Sequence, residues 1–172
     1  MRASTLEGII SRVLGEYEIK RAGRVPLSYN VTVEARHSDG ELFATRQVAN
    51  TITDAGEDEV AKLLCGVAAN AFTWVAMGTD NTAAVDSQTA LEAEISSNGG
   101  TRAQDASPET SANVATISYL FTISGALAIM EAGLFNAASV GDMLARQVFA
   151  VINVGAGDTV TISWAITSGV AR

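Results

Sequence analysis

The sequence predicts a mainly β protein, an antiparallel β-sandwich or jelly-roll-like domain that carries one short helix. The first observation is that apolar and polar residues alternate with a period of two in several segments, as they do in half-buried strands. The second is that turn residues recur about every 8–12 positions, a spacing typical of sandwiches and jelly rolls. The third is that neither a regular strand–helix alternation nor a repeat of about 20–50 residues is present, which disfavours a parallel sheet and a solenoid.

The composition fits one globular domain. Of the 172 residues, 48% are hydrophobic and 17% are charged, which is too apolar for a disordered chain. Cys65 is the only cysteine and His37 the only histidine, so an intrachain disulfide, a cysteine-based zinc site and a paired-histidine metal site are excluded. No apolar run reaches the roughly 18–20 residues of a membrane span, and the first residues lack the apolar core of a signal peptide. We therefore expect no membrane partner.

The charge is unevenly spread along the chain. The formal net charge is −8, yet residues 1–50 contain seven basic and six acidic residues, a net of +1. Residues 51–172 contain four basic and thirteen acidic residues, a net of −9. A negative field repels phosphate backbones, so we expect no nucleic-acid partner for the body of the protein.

Residues 1–27 are predicted to form an N-terminal arm that precedes a single β-rich domain over 28–172. Within the arm, apolar residues recur at helical spacing and form one stripe. The stripe consists of Leu6, Ile9, Ile10, Val13, Leu14 and Tyr17. Ser4 and Glu7 have capping-box spacing, so a short helix is predicted here. Such a helix needs an apolar surface to lie on, either on its own domain or on a neighbouring subunit.

The first part of the domain is predicted to be a β-hairpin over 28–49. Its first strand alternates over 29–36, the turn residues Ser-Asp-Gly occupy 38–40, and a return strand follows over 41–48. His37 lies beside the turn. A single histidine in such a place indicates a solvated side chain rather than a catalytic one.

The clearest helix in the sequence runs from Asp54 to Cys65. Acidic residues crowd its first turn, where the helix dipole favours carboxylates, and Gly66 suits a C-terminal cap. An apolar stripe is formed by Val60, Leu63, Leu64 and Val67. Cys65 is expected to be a small core hydrophobe rather than a nucleophile.

The remaining elements are predicted to be strands separated by one long loop. Residues 72–77 form an apolar run of strand length, whereas 79–111 is rich in Thr, Ser, Asn, Asp and Gly and is predicted to be a long irregular loop. Further strands are predicted at 116–123, 133–137, 144–154 and 159–167. Trp74 and Trp164 have apolar companions at strand positions, so we expect both in the core rather than in an exposed glycan site.

The sequence shows no catalytic or cofactor motif. Residues 155–157 (GAG) begin like a dinucleotide-binding loop, but Val160 stands where the third glycine belongs and a strand follows instead of a helix. Asp80, Thr82 and Asp86 offer oxygen atoms to a calcium ion, but they lack EF-hand spacing. We therefore expect no enzyme activity, no catalytic residue, no metal, no cofactor and no small-molecule substrate.

Several segments, each weakly informative alone, form a recognisable set over most of the chain. They are 48–56 (VANTITDAG), 74–80 (WVAMGTD), 89–94 (TALEAE), 130–136 (MEAGLFN), 143–149 (MLARQVF) and 157–164 (GDTVTISW). This set resembles a pattern that recurs in structural proteins of tailed-bacteriophage virions. The proteins with this pattern are head decoration proteins and tail, baseplate or fibre-associated proteins.

The resemblance implies a virion protein that is assembled in the host cytoplasm. Its compact size, the lack of coiled-coil heptads and the separate arm favour a head decoration (cement) protein, which binds the outside of the capsid and bridges capsomers. The implied partners are copies of itself, a trimer above all, and the major capsid protein. The arm would dock on the next subunit or on the capsid through an interface formed by Leu6, Ile10, Arg12, Val13, Leu14, Lys20, Arg21 and Arg24.

Two alternatives remain open. The first is a tail, baseplate or fibre-associated structural protein, which stoichiometry would reveal because tube subunits form hexameric rings. The second is a carbohydrate-binding β-sandwich module on the outside of a virion or a cell. A saturable glycan-binding signal would identify that module.

Overall fold

The structure is a computed structural model that describes residues 27–49, 51–67 and 69–168. In this part of the chain, ten strands and one helix follow one another. They are β1 (Leu27–Arg36), β2 (Leu42–Ala49), β3 (Thr51–Ile52), α1 (Asp54–Leu64), β4 (Trp74–Gly78), β5 (Ala103–Gln104), β6 (Glu109–Ser111), β7 (Val114–Thr122), β8 (Leu127–Phe135), β9 (Met143–Val154) and β10 (Thr159–Ser168). The helix predicted in the arm and all eight predicted interface residues lie outside the described residues.

The strands form two five-stranded antiparallel sheets. The first sheet has the order β2-β1-β10-β7-β6, and the second has the order β3-β9-β8-β4-β5. One hydrophobic cluster draws on both sheets, so they pack against each other as a sandwich. The prediction of a mainly β sandwich with one short helix is therefore confirmed. The jelly-roll form of that prediction remains a prediction.

The core follows the alternation that the sequence displays. On β10, Val160, Ile162 and Trp164 are completely buried, as are Val31 and Val33 on the neighbouring β1. Residues between them in sequence point the other way, because successive side chains of a strand face opposite sides of the sheet. The prediction that Trp164 belongs to the core is confirmed, whereas Trp74 is half-buried against a smaller second cluster.

The two ends of the sandwich differ. At one end, called the hairpin end, the β1–β2 turn meets the β9–β10 turn, and His37 Nδ1 lies 3.2 Å from Asp158 Oδ1. At the other end, called the helix end, β1 begins opposite Ser168 and β4 begins opposite Phe135. Helix α1 lies at the helix end, because the residue before it, Thr53, donates its backbone N–H to Leu144 O at 3.0 Å.

Helix α1 matches its predicted range, but its surroundings differ from expectation. Thr53 is its N-cap and accepts the Gly56 N–H at 3.0 Å. The prediction that Cys65 is a core residue is wrong, because its side chain is exposed. The first turns of the helix pack against β9, and its second half does not. A Cβ on Gly56 would stand 2.6 Å from Leu144 Cα, and every residue from 61 to 67 is exposed.

Two other sequence-based expectations need correction. Strand β8 begins at Leu127, six residues before the strand predicted at 133–137, because the run that precedes it also pairs with β9. The segment predicted as a long loop over 79–111 contains β5 and β6. Its residues 79–95 lie on the outer side of the second sheet, where Thr79 N–H donates to Ala93 O at 3.0 Å.

Candidate functional site

The centre of this outer side is an ion pair with no exposed surface. Arg146 Nε lies 2.8 Å from Glu131 Oε2, and both side chains are 0% exposed. Glu131 on β8 and Arg146 on β9 point to the same side of the sheet, because Arg146 stands opposite Gly133, two residues from Glu131. Gly133 leaves the space that the Phe135 ring and the Leu91 side chain occupy, since a Cβ there would stand 2.7 Å from Phe135 Cε2 and 2.9 Å from Leu91 Cδ2.

The ion pair holds the segment 79–95 on the sheet. Glu131 accepts the backbone N–H of Ala93 at 2.9 Å and that of Glu92 at 3.3 Å. Arg146 Nη1 donates to Thr82 O at 2.9 Å and to Gln88 Oε1 at 3.1 Å. Each charged group therefore binds a different part of the same segment. The hydrogen bonds fix the geometry of the two buried charges. Glu131, Arg146 and the groups of residues 79–95 that they bind are called the clasp here.

Gly78 allows the sheet and the covering segment 79–95 to approach each other closely beside Glu131. A Cβ at this position would collide with the Glu131 carboxylate and would stand 2.6 Å from Ala93 O. The sheet and the covering segment approach so closely only because residue 78 lacks a side chain. Gly78 also forms an isolated bridge with Glu94, which continues the contact by one residue.

A second carboxylate faces the guanidinium from the edge of the clasp. Asp80 Oδ1 lies 3.8 Å from Arg146 Nη2, the one nitrogen of this guanidinium without a hydrogen bond among the described residues. Hydrogen bonds from Thr82, with the nearby Arg146 charge as a smaller cause, hold the pKa of Asp80 below its ordinary value. Of the three residues that offer oxygen atoms to a calcium ion, two bind groups of the protein instead: Asp80 accepts the Thr82 N–H at 2.6 Å, and Thr82 O accepts from Arg146 at 2.9 Å.

A second arginine fixes the β8–β9 loop, residues 136–142, at the helix end. Arg102 binds both carboxylate oxygens of Glu94, at 2.9 and 2.6 Å, and its guanidinium lies 3.5 Å from the centre of the Phe135 ring. Arg102 Nη1 also donates to the carbonyls of Ala137 and Val140, both at 3.0 Å. The loop is therefore held from beneath by one nearly buried side chain.

This loop presents a strained apolar tip. Val140 is 88% exposed and has a φ of 57°, a region that β-branched residues rarely adopt. The Asn136 side chain accepts the Asp142 N–H at 2.8 Å and closes the base of the loop. Strain of this kind persists only where the surroundings over-determine it, and it concentrates at contact and binding sites. The loop is thus held by Arg102 and Asn136 and exposes a valine at its tip.

Glu131 and Arg146 were not among the residues predicted to form a site, although the sequence contains a signal for them. Glu131 stands alone in the apolar run of β8, and Arg146 interrupts the apolar start of β9. A lone charge inside a buried strand indicates a buried partner of opposite sign. Among the described residues, no group of three or more His, Cys, Asp and Glu side chains is arranged to hold a metal ion. His37 is half-exposed and stacks on Phe43 at 4.2 Å.

Comparisons with known proteins add no relative. No protein-family model matches the sequence, and neither the curated proteins nor the solved structures contain a significant match. Within the described ranges, no helix combines the length and the apolar character that crossing a membrane requires.

Proposed function

We propose that this chain is a structural protein of a tailed-phage virion, a head decoration protein that binds the outer face of the capsid. One observation supports the proposal above all. The segments that carry the resemblance are far apart in sequence, yet Gly78, Ala93, Glu131 and Arg146 from four of them meet at the buried clasp. A set of short patterns gains weight when its members form one contact network.

The architecture suits the mechanical task of such a protein. A decoration protein bridges capsomers and resists internal pressure through modest contacts that symmetry multiplies. The clasp ties residues 79–95 to the second sheet, and Arg102 ties the β8–β9 loop to the same body. The exposed Val140 offers an apolar contact to a partner surface. We propose further copies of this chain, as a trimer, and the major capsid protein as the partners.

Immunogold labelling of purified particles tests this proposal, combined with the copy number per particle from quantitative gels. Particles of the same phage with the gene disrupted are the matched control. We expect gold over the whole head and hundreds of copies per particle. Labelling confined to the tail, with a few dozen copies or fewer, would contradict the head location and favour the tail or baseplate alternative. Particles without any specific label would overturn the virion proposal itself.

A further inference from the structure

The second half of α1 leaves apolar side chains uncovered by the described residues. Leu63, Leu64 and Val67 are 41%, 84% and 55% exposed, and they are called the α1 patch here. They are three of the four stripe residues that the sequence predicts for this helix. The contact of Gly56 with β9 anchors the opposite half of the helix, so β9 supports only the first turns. An apolar stripe of this kind calls for a covering surface.

The chain itself supplies a candidate at the same end of the sandwich. Strand β1 begins at Leu27, which pairs with Ser168 at the helix end, and 26 residues precede it in the sequence. The apolar stripe predicted over 4–17 lies in this segment. From residue 17 to residue 27 the chain spans up to roughly 33–36 Å. Helix α1, with 11 residues, is about 16 Å long, so the fully extended tether is about twice as long as the helix.

The charges of the two elements are complementary. Residues 1–26 contain five basic and three acidic residues, a net of +2. Helix α1 contains four acidic residues and one lysine, and Asp54, Glu57 and Asp58 are all exposed. Opposite charges beside a shared apolar contact set the orientation of packing and disfavour other surfaces.

We propose that residues 4–17 of this chain dock on the α1 patch of the same molecule. The short tether gives the stripe an effective concentration of the order of millimolar at the patch, far above that of a second copy at micromolar protein. The docked stripe would cover Leu64 and Val67, the two most exposed residues of the α1 patch. This assignment selects the molecule's own domain from the two surfaces that the sequence leaves open.

Disulfide trapping tests the contact, because Cys65 is exposed beside Leu64 and is the only cysteine. An Ile10→Cys variant places a second thiol on the stripe, and Ser11→Cys places one on the polar side of the predicted helix at nearly the same tether length. A disulfide requires Cα atoms within about 7 Å. On mild oxidation of the full-length protein, we expect Ile10→Cys to form a cross-linked monomer at least tenfold faster than Ser11→Cys. Equal rates, or cross-linked dimers as the main product, would overturn the proposal.

The reactivity of the native thiol provides a second measurement that needs no cross-link. With a thiol-specific reagent, Leu14→Asp should raise the labelling rate of Cys65 several-fold relative to the parent, and Ser11→Asp should leave it unchanged. A labelling rate that is the same in all three proteins would contradict the docking. Both experiments use purified protein without particles, so their failure would leave the virion proposal untouched, and the reverse also holds.

Discussion

Glu131 on β8 and Arg146 on β9 form an ion pair in which neither side chain reaches solvent, with Nε and Oε2 2.8 Å apart. Burying two charges is costly, and the cost is offset only when geometry and further hydrogen bonds are favourable. Here the further bonds go to the backbone of residues 79–95. The pair therefore links the stability of the sheet to the position of its covering segment.

Removing one partner of this pair should be severely destabilising. We expect Arg146→Met to lower the free energy of unfolding by about 3–5 kcal/mol, because it leaves the Glu131 carboxylate buried without a compensating charge. Urea denaturation followed by tryptophan fluorescence measures this loss.

The matched control is Arg36→Met, because Arg36 pairs with Glu34 at 3.1 Å on the surface. That change should cost at most about 1 kcal/mol. The double variant Glu131→Leu with Arg146→Met should be more stable than Arg146→Met alone, since it removes the orphaned charge. A double variant that is less stable than either single variant would contradict this account.

Gly56→Ala should destabilise the protein although it lies in a helix. In an exposed helix interior this change adds about 1 kcal/mol of stability. Here the new Cβ would stand 2.6 Å from Leu144 Cα and 2.8 Å from Leu144 O, so α1 must move away from β9. We expect a loss of about 1–3 kcal/mol. Gly155→Ala is the control, because its nearest neighbour would be Asp158 Oδ2 at 3.9 Å. A gain of stability at Gly56 would refute the close contact.

Val140→Gly should stabilise the protein. Glycine adopts a φ of 57° without the steric cost that valine has there, and the exposed valine side chain loses little burial. The expected gain is about 1 kcal/mol, measured as a shift in the urea midpoint. Val85→Gly, at an exposed valine outside the left-handed region, should instead lower stability. Under the proposed function, Val140→Gly also weakens attachment to the capsid, so stability and binding change in opposite directions.

Asp158 should make stability sensitive to acid. The Gly155 N–H donates to it at 2.8 Å and His37 lies beside it, and these contacts hold its pKa below the ordinary value of 3.8. Its contribution is therefore complete above the pKa of the unfolded chain and is lost as the pH falls through the lower folded value. The destabilisation caused by Asp158→Asn should be largest above about pH 5 and should shrink towards about pH 2. Urea midpoints across this range measure it, and a pH-independent difference would contradict the mechanism.

Much of the fold was predictable because its determinants are local. The alternation on β10 and the turn residues at 38–40 specify strands and a hairpin from neighbouring residues alone. Helix α1 was equally predictable from the sequence, because its cap, its acidic first turn and its apolar stripe lie within a few residues of one another. The exposure of its second half was not predictable, because the burial of Leu64 depends on which other elements pack against the helix.

The sequence by itself therefore determined the mainly β class, the short helix and the turns. Only the tertiary structure decided which polar groups meet: Glu131 and Arg146 are 15 residues apart, and Arg146 and Thr82, whose backbone carbonyl it binds, are 64 apart. Patterns of period two or 3.6 report which face a residue occupies and contain no record of strand order. The clasp depends on the pairing of β8 with β9 and on the return of residues 79–95 over the sheet. Because Glu131 and Arg146 are buried, leaving either charge without its partners would be costly.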